Sequence, residues 1–579
     1  MTDKTPGWDA IVVGGGLGGL TCAAYLAVTG HRVLVLEQHD WAGGNSHVFR
    51  RRRAYEFDVG VHYVGDCGPD GIVPSILRGL GARDRVTFRQ LDPDRFDRIE
   101  LPGLSVDVPS DWTAYRERLR HALPADHAGL DTFLSICRAV AAEQRGSLLA
   151  PADLPVAERL ASAPTVQQWG ARTLGDLFEH CALSTVARTV LAAQSPNYGL
   201  GPGQATVWTH ATIIDHYLRG AYYPVGGGQM LAATLTEVIE AHGGELRTRS
   251  RVARIEVDGR AVTGVTLTDG ARLAAPLVIS NADYRRTVLD LVGPEHFSKV
   301  IVRNTREAAV SLPFATLYVA LDRELPERPE ANLWWYGVRD IEALYRDLEQ
   351  GRRPREVRSL FVSFSSPRDP DASHACPPGH ANFQLMTLCP PGYEHWGVTR
   401  GPADGGRYRR EPGYLAEKAR FTEALLRAGE QALGPFRDHI THLELATPLS
   451  QERYTLSTGG TPYGLARWGR TGARPGTATG VAGLHVVGQS TRYGSGVAGV
   501  MVGGVMCAAR ITGRALMAEV YHGAVLGDRA LLPERGAGWD PLAVSRGAAR
   551  AAARGLARLG RPRRAGPEAA TEDGVPVSA

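Results

Sequence analysis

The fold is decided by "WDAIVVGGGLGGLTCAAYLAVTGHRVLVLEQHDWAGG", residues 8–44. Ala10 to Val13 is a short, β-branched apolar run stopped by glycine, Thr21 to Thr29 carries good helix formers, and "HRVLVLE" resumes an apolar strand. The order strand, helix, strand is a βαβ unit. Between its first strand and its helix, Gly14, Gly16 and Gly19 satisfy G-x-G-x-x-G. The first permits the tight turn, the second lets the backbone approach a pyrophosphate, and the third lets helix and strand pack closely. Leu17 follows the second glycine, where the N–H groups of the helix N-terminus would meet phosphate charge. Glu37 ends the second strand, placed to accept both ribose hydroxyls and to repel a 2′-phosphate, with Gln38 beside it. Gly43 and Gly44 then bring a second backbone turn towards the same pyrophosphate, an arrangement more common in FAD-binding oxidoreductases than in NAD dehydrogenases. The expected cofactor is FAD.

Bulk properties exclude several other classes. A chain of 579 residues exceeds one simple core, so two domains are expected. Sixty-five basic residues against 61 acidic leave +4, too balanced for a nucleic-acid binder with a basic surface. The cysteines number seven, are scattered and form no C-x-x-C, which predicts reduced thiols and no structural zinc. His39 and His47 flank the Gly43-Gly44 turn without the carboxylate or cysteine spacing a metal would need, so no metal is expected. The chain opens with neither a signal-peptide pattern nor an apolar span; the expected location is cytoplasmic, with any membrane contact peripheral, on the inner face.

Downstream, pieces of two domains alternate. Residues 111–193 carry helical periodicity, and 220–283 switch to a helix followed by strands, with turns at Asp258-Gly259 and Asp269-Gly270. The cluster Gly226 to Gly228 imitates a second dinucleotide loop. Leu231 stands at its third glycine position and Pro224 interrupts the strand before it, which argues against a second nucleotide fold and a nicotinamide-linked two-site reductase.

Four further stretches are informative together: "VLEQHDWAGGNSHVF" continuing to "YEFDVGVHYVG" at 55–65, "NYGLGPGQATVWTHATIIDHYLRGAYYPVGGG" at 197–228, "GGTPYGL" at 459–465, and "GLHVVGQSTRYGSGVAGVMVGGVMCA" at 483–508. They bracket the chain to about residue 517, and with them the sequence resembles the retinol saturase branch of the phytoene desaturase and carotenoid isomerase flavoprotein superfamily. The resemblance implies an α/β fold: a Rossmann-type FAD domain of the glutathione-reductase-like, amine-oxidase type, interleaved with an α+β substrate domain. The expected division is 8–95, 216–290 and 456–517 for FAD, and 96–215 with 291–455 for substrate. It further implies that Val252 meets the adenine, that Gly488 and Gln489 pass the pyrophosphate and ribityl, and that Gly496 and Val497 open a helix aimed at the flavin pyrimidine edge. Many relatives place an acid after the Gly488-type glycine, where this chain has Gln489 and Ser490.

For catalysis the candidates are His62, Tyr63 and His216. The first two follow the "FDVG" turn that the resemblance sets beside the isoalloxazine, where they would shape the pocket or relay a proton, or else form a packed aromatic pair. His210, His216 and Tyr217 share one expected helix and would wall a polyene pocket or form an aromatic core stripe. In "NLWWYGV", neighbouring side chains of a strand alternate, so either Trp334 with Tyr336 or Trp335 alone is expected to face the tunnel. Residues 525–579 read as a basic Ala/Arg-rich tail, partly disordered, in which Arg546, Arg550, Arg554 and Arg558 recur at every fourth position. On a helix they would form a stripe able to lie on an anionic bilayer; the alternative is a solvated end. The expected function is reduction of a double bond in a lipophilic polyene or isoprenoid, against two alternatives: a desaturase or isomerase, and a non-catalytic flavin protein that carries lipid. The electron donor or acceptor is not written in these motifs.

Overall fold

β1 (Ala10–Val13) and β2 (Val33–Leu36) are apolar runs buried along their whole length, as strands of a parallel sheet covered on both faces must be. The structure, a computed structural model, describes residues 7–150, 155–325, 331–352, 355–366, 368–369, 375–467 and 473–548. α1 (Leu17–Val28) crosses between β1 and β2. Three later strands complete the parallel sheet: Glu245–Arg247 beside β2, then Leu277–Ser280 and Leu484–Val486 in order beyond β1. The Gly496–Thr512 helix lies across α1 so closely that a Cβ on Gly504 would stand 2.6 Å from the Gly18 carbonyl oxygen and 2.9 Å from the Cys22 nitrogen. Only glycine permits that crossing.

Facing this layer is a seven-stranded sheet in the order Ile440–Ala446, Phe314–Leu321, Ala381–Leu388, Ser359–Phe364, Asn332–Tyr336, Asp97–Leu101 and Leu104–Val108. Alternation sorts its side chains. Leu317, Val319, Leu333, Val362 and Leu385 join a core with the Pro412–Leu433 helix, while Thr316, Tyr318, Trp334, Phe361 and Met386 line a cavity on the opposite face. Helices between 112 and 218 cover one end of that cavity. Among the described residues no helix is long and apolar enough to cross a membrane.

Three features of the fold bear on the expected segments. The segment from 96 begins with a hairpin, Asp97–Leu101 and Leu104–Val108, that extends the large sheet before any helix forms. Position 216 falls inside the Val207–Leu218 helix, which runs on against the His127–Leu149 helix until Gly220, at φ +109, turns the chain. Residues 525–548 are not a tail. Arg535 pairs with the buried Glu237 at 2.7 Å and Trp539 Nε1 donates to the same carboxylate at 2.8 Å. Gln229 Nε2 donates to Ser545 Oγ at 2.7 Å, and the Ala42 N–H donates to the Ser545 carbonyl at 2.8 Å. Glu237 and Gln229 are polar residues of a buried helix, and this segment supplies the partners they need. Arg546 lies over the Trp41 ring, whereas Arg550, Arg554 and Arg558 lie outside the described residues.

One hairpin stands out at the cavity edge. β3 (Val48–Arg51) and β4 (Tyr55–Asp58) are joined by a turn closed by the Ala54 N–H donating to the Arg51 carbonyl, with Arg52 at φ +52 and Arg53 at φ +54. Asn-Gly is the pair that suits two left-handed turn positions, and a residue with a Cβ costs about 1–2 kcal/mol at each.

Candidate active site

A cavity of about 4040 Å³ runs between the two sheets. An ordinary ligand pocket holds about 300–1,000 Å³. There is room here for a dinucleotide and a second ligand.

The nucleotide wall is built mostly from backbone. Gly14, Gly16, Leu17, Glu37, Gln38, Gly43, Gly44, Val252, Gly488, Gln489, Gly496 and Val497 all line the cavity. Gly19 does not; a Cβ there would lie 2.5 Å from the Gly14 carbonyl oxygen, so its part is packing strand against helix. Glu37 accepts the Gly15 N–H at 2.8 Å on one oxygen and the His39 N–H at 2.7 Å on the other, and the Gln38 N–H is also directed at the carboxylate. Burial pushes its carboxyl up and these donors oppose the shift. Asn281, directly after the Leu277–Ser280 strand, donates to the Gly14 carbonyl at 3.2 Å; a Cβ on Gly16, Gly18 or Gly488 would come within 3.0 Å of its amide. Sequence reading passed over this residue, although it is the first polar side chain after "LVIS".

Two features of this wall fit a dinucleotide. Arg474 is half-buried in it, its pKa pushed down to about 10 by desolvation, with one guanidinium nitrogen donating to the Gln489 carbonyl at 2.7 Å and no carboxylate bonded to it among the described residues. The buried Trp41 Nε1 faces the same cavity without a partner. A cation and a donor held in this way call for an anion and an acceptor, which a pyrophosphate and its ribose supply.

The opposite wall is built from side chains. His62, Tyr63 and His216 all line the cavity. Burial, helped by the Arg368 charge, lowers the His62 pKa to about 3; its Nδ1 is buried without a partner, and its ring meets Phe361 edge-on at 5.6 Å. His62 is therefore neutral at physiological pH. Tyr63 stacks on Tyr217 with centroids 4.1 Å apart, donates its hydroxyl to Asp97 at 3.1 Å and accepts from Asn197 at 3.1 Å. His216 is already engaged: its Nε2 accepts the Gly65 N–H at 2.9 Å, and burial lowers its pKa to about 4. That bond gives the ring a packing role. His210 is outside the cavity lining, bonded through Nδ1 to the Tyr198 hydroxyl at 3.0 Å.

Behind this wall lies a polar network that sequence reading missed. Asp97 is fully buried and accepts from Gln194 (2.6 Å), Asn332 (2.7 Å), Trp334 Nε1 (2.8 Å) and Tyr63 (3.1 Å). Burial raises its pKa to about 6 against the pull of those donors. Arg368, also buried, donates to the His62 carbonyl at 2.5 Å, to Ser363 Oγ at 3.0 Å and to the side-chain oxygen of Asn332. Asp58 accepts the Tyr223 hydroxyl at 2.5 Å and the Gly228 N–H at 2.9 Å, with its pKa raised to about 7 by burial. A signal existed for Asp97: in "DRIEL" it shares a face with Ile99 and Leu101, an acid on an apolar stripe. Trp334 faces the cavity and stacks on Phe361 at 4.1 Å, and Trp335 packs on the far side of the sheet.

Known proteins resemble this chain along most of its length. Residues 17–512 match the family model described as flavin containing amine oxidoreductase. The chain is 27% identical over 543 residues to an all-trans-retinol 13,14-reductase of Macaca fascicularis, covering 88% of this chain and 87% of that protein. It is 25% identical over 506 residues to a lycopene-forming phytoene desaturase of Paracoccus sp., covering 85% and 95%. Among solved structures it superposes on a cyclohexylamine oxidase of Brevibacterium oxydans with a TM-score of 0.55 at 18% identity, over 88% of this chain and 99% of that one.

Proposed function

Because the chain belongs to the flavin containing amine oxidoreductase family and is an FAD-dependent oxidoreductase, we propose that it reduces a carbon–carbon double bond of a lipophilic polyene or isoprenoid. The observation that carries the reading is the wall facing the nucleotide cradle: Phe314, Trp334, Phe361 and Met386 form an apolar and aromatic surface, with neutral His62 beside it. Such a wall grips a long apolar chain by shape and area. Bound FAD supplies the two-electron chemistry, as hydride donor or acceptor.

The chain's own residues hold the rest. Glu37 and the glycine turns would seat the ribose and pyrophosphate, and Arg474 would face phosphate or flavin charge. Phe361 and Trp334, locked by their stacking and by the Trp334 bond to Asp97, would hold the polyene against the cradle. His62 and Tyr63 are the proton-bearing groups on that wall. His62, neutral and with Nδ1 unpartnered, is the one able to relay a proton, taking it on one ring nitrogen as the other releases one, without breaking a side-chain bond already made, while Tyr63 keeps its hydroxyl on Asp97. Asp97 and Arg368 act as positioning residues through Tyr63 and the His62 backbone.

The reverse reaction has one specific support, the similarity to a phytoene desaturase named above. Anaerobic incubation of the reduced and the oxidised flavoprotein with retinoids and carotenoids, followed by product mass, separates the readings. Product two mass units heavier, from reduced protein, is the expected result. Product two units lighter, from oxidised protein, would replace it with desaturation, product of unchanged mass but altered chromatographic retention would mean isomerisation, and no product of any kind would favour a lipid carrier.

A further inference from the structure

The four consecutive arginines Arg50 to Arg53 divide into two pairs with different surroundings. Arg50, in β3, bonds Glu56 at 2.6 Å and Asp540 at 3.0 Å, and Arg51 bonds Glu444 at 2.6 Å. Arg52 and Arg53 occupy the turn, exposed, with no carboxylate bonded to either among the described residues. Lys418, half-buried on the Pro412–Leu433 helix, reaches the same neighbourhood through Glu444, which Arg51 bonds and whose charge acts on the Lys418 ammonium, and Arg410 is exposed just before that helix. All four line the mouth of the cavity. The acids nearby are already engaged: Glu444 by Arg51, Glu56 and Asp540 by Arg50, and Asp404 by Arg286.

Two physical arguments give this excess charge a meaning. Cations crowded at the mouth of a low-dielectric cleft concentrate their field there, and guanidinium forks match phosphate oxygens in geometry as well as charge. The backbone adds the second. A turn with both central residues left-handed favours Asn-Gly, and this one carries two arginines against that preference. Backbone held in a costly conformation beside a cavity is a feature expected of a binding site. Lys418 agrees with it: burial holds its ammonium below the usual lysine range, opposed by the Glu444 carboxylate, which Arg51 already engages, and reinforced by the neighbouring Arg409.

We propose that Arg52, Arg53, Arg410 and Lys418 form an anion-binding rim at the cavity mouth that recognises a phosphate or diphosphate group. This inference stands apart from the polyene reading, since the rim would act on the anionic part of any ligand entering the cavity. Two sources present that group, a soluble phosphate ester and a phospholipid head group, and the test has an arm for each.

The experiment uses the full-length, flavin-loaded protein, so that the nucleotide cradle is already filled. Inorganic pyrophosphate is titrated calorimetrically at low ionic strength, and sedimentation is followed with phosphatidylcholine vesicles with and without phosphatidylglycerol. The variant is Arg52→Asn/Arg53→Gly, which gives the turn the residues it prefers. Loss of pyrophosphate affinity by about tenfold or more, at unchanged flavin content and an unchanged or higher Tm, is the expected result and assigns a soluble phosphate ligand. If pyrophosphate fails to bind but vesicle binding depends on phosphatidylglycerol and falls in the variant, the same rim serves a lipid head group. Equal binding by variant and parent in both arms, or no binding in either, overturns the proposal. Lys418→Met, read the same way, guards against an effect confined to the hairpin.

Discussion

The two walls of the cavity are made of different material. The glycine wall is bare backbone, with Gly14, Gly16, Gly44 and Gly488 leaving space where side chains would stand, and the aromatic wall is a stack of side chains braced from behind by Asp97 and Arg368. A backbone cradle is specific because anything added to it intrudes. A braced wall is specific because anything removed leaves a buried polar group unsatisfied. Damage to the first should therefore show in cofactor content, and damage to the second in stability and turnover.

Replacing Gly16 with valine is the most severe way to test the first half of that contrast. A Cβ there already meets the Asn281 amide at 2.8 Å, and the branched side chain would fill the pyrophosphate path. The expected product is folded, colourless protein, checked by visible absorbance and circular dichroism; full flavin content would remove the loop from the site. Asp97→Ala attacks the other wall. It strands the donors of Gln194, Asn332, Trp334 and Tyr63, and should cost about 3–5 kcal/mol in a urea titration. A loss below about 1 kcal/mol would mean that the network is ornamental.

His62→Phe keeps the ring's bulk beside Phe361 and removes its nitrogens. Turnover should fall about 100-fold, the low end of general acid–base effects, with flavin content unchanged. Unchanged kcat would return His62 to a packing role. The smallest expected effect is on pH dependence and concerns Asp58. Its folded pKa, about 7, lies above the ordinary carboxylate value, so the folded state holds a proton that the unfolded state has released. The resulting stability is fully present below about pH 4 and is lost as pH rises through 7. Asp58→Asn should remove that component, so that between pH 5 and 8 the variant gains on the parent by on the order of 1–2 kcal/mol in Tm-derived stability. A difference that does not vary with pH would show that the carboxyl is ionised throughout.

The contrast between the walls also explains what the sequence revealed. A glycine cradle is local: Gly14, Gly16, Glu37 and Gly43-Gly44 lie within about thirty residues, and their spacing carries the geometry with them. The braced wall is assembled from residues 62, 97, 194, 332 and 368, whose meeting depends on a seven-stranded sheet and a helical layer that no local pattern specifies. Asp97 still left a trace, as an acid on the apolar side of an alternating strand, while Arg368 and Arg474 left none. His216 shows another limit: it lines the cavity as expected, but that its Nε2 accepts from the Gly65 backbone is a fact of packing that residue type cannot announce. The stretch 525–548 read as a tail because its partners, Glu237 and Gln229, are more than three hundred residues before Trp539 and Ser545.

That last contact has a consequence in time. Synthesis delivers β1, α1 and β2 first, yet the sheet they belong to waits for Leu277–Ser280, then for Leu484–Val486, and finally for Ser545 to close on Ala42 and Gln229. The cradle gains its Gly488 turn only after about 450 further residues have followed the first glycines. Until residues 496–512 are made, the first helix stands without the Gly496–Thr512 helix that crosses it, so a complete cradle forms only after that segment has been synthesised.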